Sequence, residues 1–330
     1  MATVAVVILN YNGSHFLEKF LPTLINHSSE ATIYVADNCS TDDSLEVLRR
    51  FPTVKTIELA ENTGYAGGYN AALRQIDADY FALVNSDIEV TKSWLQPLIQ
   101  FMERNPEYAA VQPKIKDYQN REYFEYAGAS GGYLDWMGYP YCRGRIFDTI
   151  EKDIGQYDTR SDVFWTTGAC FMIRRSDFLQ LDGFPSDFFA HMEEIDLCWR
   201  LQSAKRMLAC IPSSVVYHVG GGTLNKTSPR KTYLNFRNNL RLLTRNLPKK
   251  HLLWVIPLRI CLDWFAGFVF WKKQSFAHFQ AILQAHWHAL KSLTDDLKKT
   301  ERSKPSGVKS ILIQYYFRKK REFSKLSSTR

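Results

Sequence analysis

VAVVILNYNG, residues 4–13, runs six apolar residues without interruption into Asn-Tyr-Asn-Gly. A strand with one wet face alternates apolar and polar residues. An unbroken apolar run is the pattern of a strand buried on both faces, as in a parallel sheet covered by helices. The flanking sequence repeats the theme. HFLEKFLPTLI (15–25) reads as a helix, TIYVAD (32–37) as a strand, DDSLEVLRRF (42–51) as a helix and VKTIEL (54–59) as a strand. GGYNAALRQI (67–76) is a helix, YFALVNSD (80–87) a strand, SWLQPLIQFMERN (93–105) a helix, and AAVQPKI (109–115) begins another strand. This alternation predicts an α/β fold with a mostly parallel, Rossmann-like sheet and helices on both faces. Residues 117–162 are poorly periodic and read as loops or a small excursion over the site. VFWTTGACFMIRR (163–175), MLACIP (207–212) and SVVYHV (214–219) read as further strands, with a helix starting near residue 192.

The chain has 330 residues, 45% of them hydrophobic, enough for one large or two modest cores. Its net charge of +8 conceals a division. Residues 1–225 carry 19 Lys and Arg against 29 Asp and Glu, a net of −10, whereas residues 226–330 carry 23 against 5, a net of +18. The boundary is therefore set between an acidic body, 1–225, and a basic helical region, 226–330. Such a tail suits an anionic partner, membrane or nucleic acid. The six cysteines form no C-x-x-C pair and no zinc spacing, and are expected to be buried and reduced. The opening segment lacks a basic flank and is expected to be a first strand rather than a signal peptide.

In open α/β sheets, ligands bind at the carboxyl ends of the strands. Three polar clusters fall there: ADNCSTDDS (36–44), ENTGYAGGYNAAL (61–73) and VNSDIEV (84–90). They bring Asp37, Asn38, Asn62 and Asp87 toward one rim. GYAGGYN is neither a Walker loop nor the dinucleotide fingerprint, but a Gly-rich turn into a helix admits a phosphate or nucleoside at close range. Asp87 suits either a hard cation that keeps phosphate and water as its other ligands, or an Asx-turn. His218, in VVYHVGGG, is a metal ligand or a packed residue. HMEEIDLCWR (191–200) places Glu193, Glu194 and Asp196 within four positions, as a helix start favoured by its dipole or as a general base with supports. If the helix starts near Met192, Glu193 and Asp196 share a face, Asp196 pairs with Arg200, Glu193 serves the helix start, and Glu194 points elsewhere.

The motifs VVILNYNG, VADNCSTDDS, ENTGYAGGYNAAL, VNSDIEV, TTGACFMIRR, HMEEIDLCWR and YHVGGG together resemble the family 2 glycosyltransferases, the inverting enzymes of GT-A fold. Within them the resemblance is to the bacterial rhamnosyl- and galactofuranosyl-transferase-like branch. It implies that Asp37 and Asn38 contact the base or ribose of a nucleoside-diphosphate sugar, with Asn62, Gly67 and Gly68 lining the same pocket. It implies that Asp87 is the last acid of a D-x-D-type element holding Mg²⁺ or Mn²⁺. Asn85 replaces the first acid, a departure that bears on direct metal contact there. His218 would complete the metal shell and Glu194 would be the catalytic base. YLNFRNNLRLL (233–243) resembles the segment closing the site, with Arg237 facing a phosphate.

HLLWVIPLRICLDWFAGFVFW (251–271) is long enough to cross a bilayer. Arg259 and Asp263 would each cost about 2.5–3.5 kcal/mol at its centre, and Pro257 would kink it. Four tryptophans (254, 264, 271, 287) among many Lys and Arg suit an interfacial helix on anionic lipid. The expected protein is a peripheral or monotopic enzyme at the cytoplasmic face of the cell membrane, or otherwise a cytoplasmic one whose basic region is a soluble helical subdomain. It acts on a glycan acceptor, lipid-linked in the membrane case, with no role for nucleic acid. Two other classes compete. A sugar nucleotidyltransferase needs a cation-bearing loop for a triphosphate, and NYNGSHF (10–16) has none. A nucleic-acid binder would have no use for the acidic cluster beside TTGAC, and no RNP-like motif is present.

Overall fold

The computed structural model of the protein describes residues 2–220, 228–299 and 302–326. The opening apolar run forms the middle of the main sheet. β1 (Val4–Asn10) pairs in parallel with β2 (Thr32–Asp37) on one side and β4 (Tyr80–Asn85) on the other, and β2 pairs in parallel with β3 (Lys55–Glu58). Helices α1 (Ser14–Asn26), α2 (Ser44–Arg49) and α3 (Gly64–Leu73) make the crossovers. Alternate β1 side chains serve two cores, as a strand period of two requires. Val4, Val6 and Ile8 pack with Leu17, Leu21 and Trp94. Ala5 and Val7 pack on the opposite face with Tyr69, Leu73 and Trp199.

Past β4 the sheet becomes mixed. β12 (Cys170–Arg174) lies antiparallel between β4 and β6 (Tyr108–Asp117), while β13 (Met207–His218) runs parallel to β6. β5 (Ile88–Val90) and β11 (Ser161–Asp162) pair antiparallel with β13. The strand order is β11-β13-β6-β12-β4-β1-β2-β3, with β5 alongside β13. Helices α4 (Gln96–Arg104), α5 (Arg175–Gln180) and α6 (Glu193–Ser203) complete the body.

Some expectations are corrected. The strand read over 163–175 is confined to β12, because Trp165 to Ala169 turn across the site instead of pairing along the sheet. The two strands read at 207–212 and 214–219 are one, β13, whose register against β6 slips between Ile211 and Val215. Pro212 lies in that slip, where a missing N–H is tolerated. Residues 117–162, read as loops, contain a four-stranded antiparallel sheet: β7 (Gly132–Leu134), β8 (Pro140–Cys142), β9 (Arg145–Ile146) and β10 (Thr149–Ile150). Four cysteines are buried and free as expected, but Cys39 and Cys261 are exposed.

The boundary placed at 225/226 lies outside the described residues. Beyond it come α7 (Pro229–Asn246), α8 (Lys249–Lys273), α9 (Phe276–Lys291) and α10 (Leu293–Asp296), and no strand among the described residues. α8 stays continuous through Pro257. Its buried residues Leu252, Val255, Arg259, Asp263 and Gly267 recur every three or four positions and face inward. A Cβ on Gly267 would lie 2.7 Å from the Phe279 ring, so glycine permits the close approach of α8 to α9.

Candidate active site

The sheet register levels the rim. Asn10 lies opposite Asp37, Asp37 opposite Glu58, and Leu9 opposite Asn85. The carboxyl ends of four parallel strands therefore meet at one height. Asp37 is buried and accepts hydrogen bonds from Asn10 Nδ2 (3.1 Å) and the Ser40 amide (2.8 Å). Asn38 donates to Asn62 Oδ1 (3.0 Å) and to the Gly64 carbonyl (3.2 Å), while its own Oδ1 is buried without a partner. Asn10 also keeps an unpartnered buried Oδ1. Unsatisfied buried acceptors are uncommon and mark a rim built to receive donors from elsewhere. Asn10 was not singled out from the sequence, although an amide closing an otherwise apolar strand was a legible sign.

Gly67 and Gly68 require a correction. Both lie inside α3, which begins three residues earlier than read. A Cβ on Gly67 would lie 2.6 Å from the Thr63 side chain, and one on Gly68 2.8 Å from Leu9. Both are small so that α3 can pack, and the Gly68 position adjoins Asn38 Nδ2 as well, 3.1 Å from where its Cβ would stand. The turn glycine is Gly64, with φ +74° and the Phe189 carbonyl 2.4 Å from where a Cβ would stand.

Antiparallel pairing of β13 with β5 sets His218 opposite Ile88, one residue past Asp87. His218 Nε2 thus lies 3.1 Å from Asp87 Oδ1, and Nδ1 lies 3.4 Å from Glu125 Oε2. The Gly220 amide donates to Asp87 Oδ2 (3.1 Å). Burial opposes charge on His218, but the Glu125 and Asp87 carboxylates outweigh it and raise its pKa to about 10. Burial likewise pushes Asp87 up, and the charge and hydrogen bond of His218 bring it below its ordinary value. Asn85 is tied through its amide to the Ala169 carbonyl (2.9 Å), which joins this turn to the TTGAC segment.

That segment leads to the acids. Tyr65 Oη donates to the Gly168 carbonyl (2.6 Å), and a Cβ on Gly168 would stand 3.6 Å from Glu194 Cδ. Tyr65, Gly168 and Glu194 are thus gathered from three separate motifs. Burial pushes the Glu194 carboxyl up to about 7, opposed by the facing N–H groups of Glu194, Ile195 and Gly168. Glu193 is more deeply buried, with one carboxylate oxygen unpartnered, and burial followed by the neighbouring Glu194 charge drives its pKa well upward. The first-turn amides of Glu194 and Ile195 face the Glu194 carboxylate and that of Glu193 faces its own, so both acids serve the helix start.

Asp196 pairs with Arg200 as expected, Oδ2 accepting from Nε at 2.7 Å. Its other oxygen meets Asn246 Nδ2 (2.8 Å) and Arg245 Nε (3.2 Å) from α7, and the residue is 0% exposed. Arg200 also donates to the Leu181 and Gly183 carbonyls. Removing one partner of a buried ionic group strands the others, at about 3–5 kcal/mol. Asp196→Ala is expected to lower stability by about that amount, and Asp196→Asn by less. Both are read as a shift of the urea midpoint, and an unmoved midpoint would show that this hub carries no stability.

Arg237 does not face an open phosphate position. Its guanidinium donates to the Asp187 and Phe188 carbonyls, Tyr233 Oη and Asn238 Oδ1. A cavity of about 350 Å³ lies beside α6, lined by Arg74, Asp187, Arg200 and Arg245 among others, and none of the strand-end residues borders it.

With this geometry in place, the known relatives decide the class. The profile described as glycosyl transferase family 2 matches residues 5–181, more than half of the chain. The protein belongs to glycosyl transferase family 2. It is 27% identical over 230 residues to an N-acetylglucosaminyl-diphospho-decaprenol L-rhamnosyltransferase of Mycobacterium tuberculosis, covering 64% of this chain and 75% of that one. It is 25% identical over 224 residues to rhamnosyltransferase WbbL of Escherichia coli, covering 65% and 83%. Among solved structures it superposes on TarS of S. aureus in complex with UDP-GlcNAc with a TM-score of 0.58, at 16% identity, over 89% of this chain and 83% of that one. GalNAc-T7 with UDP, GalNAc and Mn²⁺ gives 0.61 at 15% identity, over 89% of this chain and 58% of that one. These structural likenesses establish the GT-A fold. The protein is therefore an inverting glycosyltransferase that uses a nucleoside-diphosphate sugar, and the nucleotidyltransferase and nucleic-acid readings fall away.

Proposed function

We propose that this family 2 enzyme transfers a sugar, inverting its anomeric centre, to a hydroxyl of a lipid-linked glycan during cell-surface polysaccharide assembly. The observation that carries the reading is the half-buried Glu194 carboxylate, one oxygen of it buried and unpartnered, set against Gly168 in the TTGAC segment, whose Ala169 carbonyl ties to the turn that bears Asp87. Asp37, Asn38 and Asn62 bind the donor's nucleoside portion at the rim. The acceptor hydroxyl attacks the anomeric carbon from the face opposite the diphosphate. Its proton passes to Glu194 as the new C–O bond forms, and the bond to the leaving phosphate oxygen breaks with its electron pair on the nucleoside diphosphate.

A divalent cation fits the donor set. Asp87 Oδ1 and His218 Nε2 are close enough to share one ion, and Glu125 behind Nδ1 supplies the orienting carboxylate common behind metal-binding histidines. No group of three or more His, Cys, Asp or Glu forms a cage among the described residues. Two protein ligands therefore leave room for phosphate oxygens and water, as Mg²⁺ or Mn²⁺ prefers. When bound, the ion neutralises charge on the departing diphosphate. Asn85 brings no charge to the ion, and is read as a donor contact rather than a metal ligand.

The acceptor's lipid is supported by α8 and α9. One helix among the described residues, Lys249–Lys273, is long and apolar enough to cross a membrane. Its two central charges are turned inward, however. Arg259 (3% exposed) pairs with Asp263 (1%), donates to the Met137 carbonyl at 2.7 Å and stacks on Tyr139 at 3.9 Å. A helix docked at mid-length on the body lies along a bilayer rather than through it. The opposite face leaves Leu253 82% and Phe265 70% exposed, beside Trp254, Trp264, Trp271 and, from α9, Trp287. Lys249, Lys250, Lys272 and Lys273 are exposed at its ends. This is a monotopic face for anionic lipid at the cytoplasmic leaflet.

Two measurements test the reading. Incubation with UDP-, dTDP- and GDP-sugars and a lipid-linked glycan should release a nucleoside diphosphate and extend the glycan with inverted configuration. Retained configuration, or formation of a sugar nucleotide, would sink it. Flotation with phosphatidylglycerol vesicles should be reduced by salt, since exposed charges are screened over about 10 Å at 0.1 M. It should also be lost in a Trp254→Ser/Phe265→Ser/Trp287→Ser variant. Flotation indifferent to both salt and lipid charge would point to a spanning helix.

A further inference from the structure

The chain reaches α6 through an unfavourable path. Phe189, His191 and Met192 all have positive φ, 65°, 71° and 72°, and none is glycine. Side chains with a Cβ rarely adopt this region unless the surroundings impose it. Met192 is the residue immediately before α6, and its carbonyl accepts the Asp196 amide at 2.9 Å to close the first turn. The direction in which Glu193 and Glu194 leave the backbone is therefore set by this loop.

What imposes the path is a pair of adjacent residues on α7. Asn238 is 0% exposed. Its Nδ2 lies within hydrogen-bond distance of three carbonyls of the loop, Phe188 (3.0 Å), Ala190 (2.9 Å) and His191 (2.8 Å), which share its two N–H groups. Arg237 Nε donates to Asn238 Oδ1 at 2.8 Å, which fixes which end of the carboxamide faces the loop. Arg237 Nη2 adds bonds to the Asp187 (3.0 Å) and Phe188 (2.9 Å) carbonyls. The remaining carbonyl of the run, that of Phe189, points the other way and accepts the Ala66 amide of α3 at 3.2 Å. Five consecutive carbonyls are thus assigned, four to α7 and one to the donor-side helix. A carboxylate or an apolar side chain at 238 would leave the loop carbonyls without donors in a buried setting, and relaxing φ at His191 and Met192 would swing the first turn of α6.

We infer that Asn238 is a positioning residue of the transfer reaction: with Arg237 behind it, it holds residues 187–192 in the conformation that aims the Glu194 carboxylate at the acceptor hydroxyl. It reaches Glu194 only through the backbone and touches neither donor nor acceptor. The inference rests on Glu194 being the base, so its test separates the two claims.

The test is a mutant cycle on Asn238→Ala and Glu194→Gln, using the sugar nucleotide of the panel that gives the fastest turnover and the lipid-linked glycan. Asn238→Ala should lower kcat 10- to 100-fold, leave the KM for the sugar nucleotide within about threefold, and displace the acid limb of the kcat/KM profile. The double variant should be no slower than Glu194→Gln alone, because an effect exerted through Glu194 has nothing left to act on. Amide exchange of the 187–196 peptide should quicken in Asn238→Ala, while that of β1 and β2 stays as in the parent. Multiplicative loss in the double variant, or a rate loss with an unmoved pH limb and unmoved exchange, would overturn the positioning role. A fully active Glu194→Gln would instead remove the base assignment beneath it. Should Asn238→Ala fail to fold, Arg237→Gln, at a part-exposed position, carries the same cycle with a smaller rate loss.

Discussion

Glu194→Gln is expected to lower kcat for transfer by about 10²- to 10⁴-fold, the range that a positioned general base contributes. Binding of the sugar nucleotide should stay within a fewfold of the parent, because the amide fills the same space and the proposed role of Glu194 is toward the acceptor. Three acids crowd the start of α6, and their surroundings divide the work. Asp196 is surrounded by Arg200, Arg245 and Asn246, which hold its carboxyl below its ordinary range, so it is a poor proton acceptor and a good anchor. Glu193 is buried beside Glu194, and burial with its neighbour's charge raises its pKa well above its ordinary value. Glu194 alone combines partial exposure, an unpartnered oxygen and a pKa pushed up to about 7 by burial.

The pH dependence follows with a definite sign. A base acts when deprotonated, so kcat/KM should rise with pH through the Glu194 pKa. Its acid limb should lie near 7 rather than near the ordinary glutamate value of about 4.3. Burial, not a Glu193 charge, raises the Glu194 pKa, so Glu193→Gln should leave that limb nearly in place, with a milder loss of rate. If Glu194→Gln kept the parent rate while Glu193→Gln lost it, the base would be the deeper acid.

How far the sequence could be read depended on the kind of interaction involved. Elements governed by local periodicity were legible: the apolar runs of β1 and β4, and the acids opening α6. Residues whose meaning arises from pairing between distant strands were only half legible. Asp87 and His218 were both named, but Glu125 was not, because its role depends on a contact with His218 made between elements far apart in sequence. Gly67 and Gly68 were misread for the same reason. A glycine looks alike in a ligand-binding turn and in a tightly packed helix, and only the position of Leu9 and Thr63 tells them apart. Arg237 was seen as a cation and therefore given an anion. Carbonyl groups, which no sequence pattern displays, turned out to be its partners. The pair Arg259 and Asp263 was legible as an i,i+4 couple, but which way it faced was not. In the fold the pair turns inward, onto the Met137 carbonyl and the Tyr139 ring.

Asp87→Ala is expected to remove the Mn²⁺-dependent part of sugar-nucleotide binding, an affinity loss on the order of a hundredfold or more, since even an outer partner of a metal ligand is worth about 10–100-fold. Asp87 is the only carboxylate in the Asn85-Ser86-Asp87 turn, so no second acid there takes over. Asp87→Asn keeps the shape and an acceptor for the Gly220 amide, and separates loss of charge from loss of fold. It should melt somewhat below the parent, because His218 loses one buried counter-charge and keeps Glu125, and should still bind poorly with Mn²⁺. His218→Ala should weaken metal-dependent binding less, because the ring must give up its proton to Asp87 and Glu125 before it can bind the ion, and the anionic ligand remains. Chelation of the parent should reproduce the Asp87→Asn affinity, and adding Mn²⁺ back should restore the parent alone. Equal metal-dependent affinity in Asp87→Asn and parent, measured by calorimetry with and without Mn²⁺, would free the turn from any role in holding the donor diphosphate. The Asp87–His218 contact would then be a purely structural tie between β5 and β13.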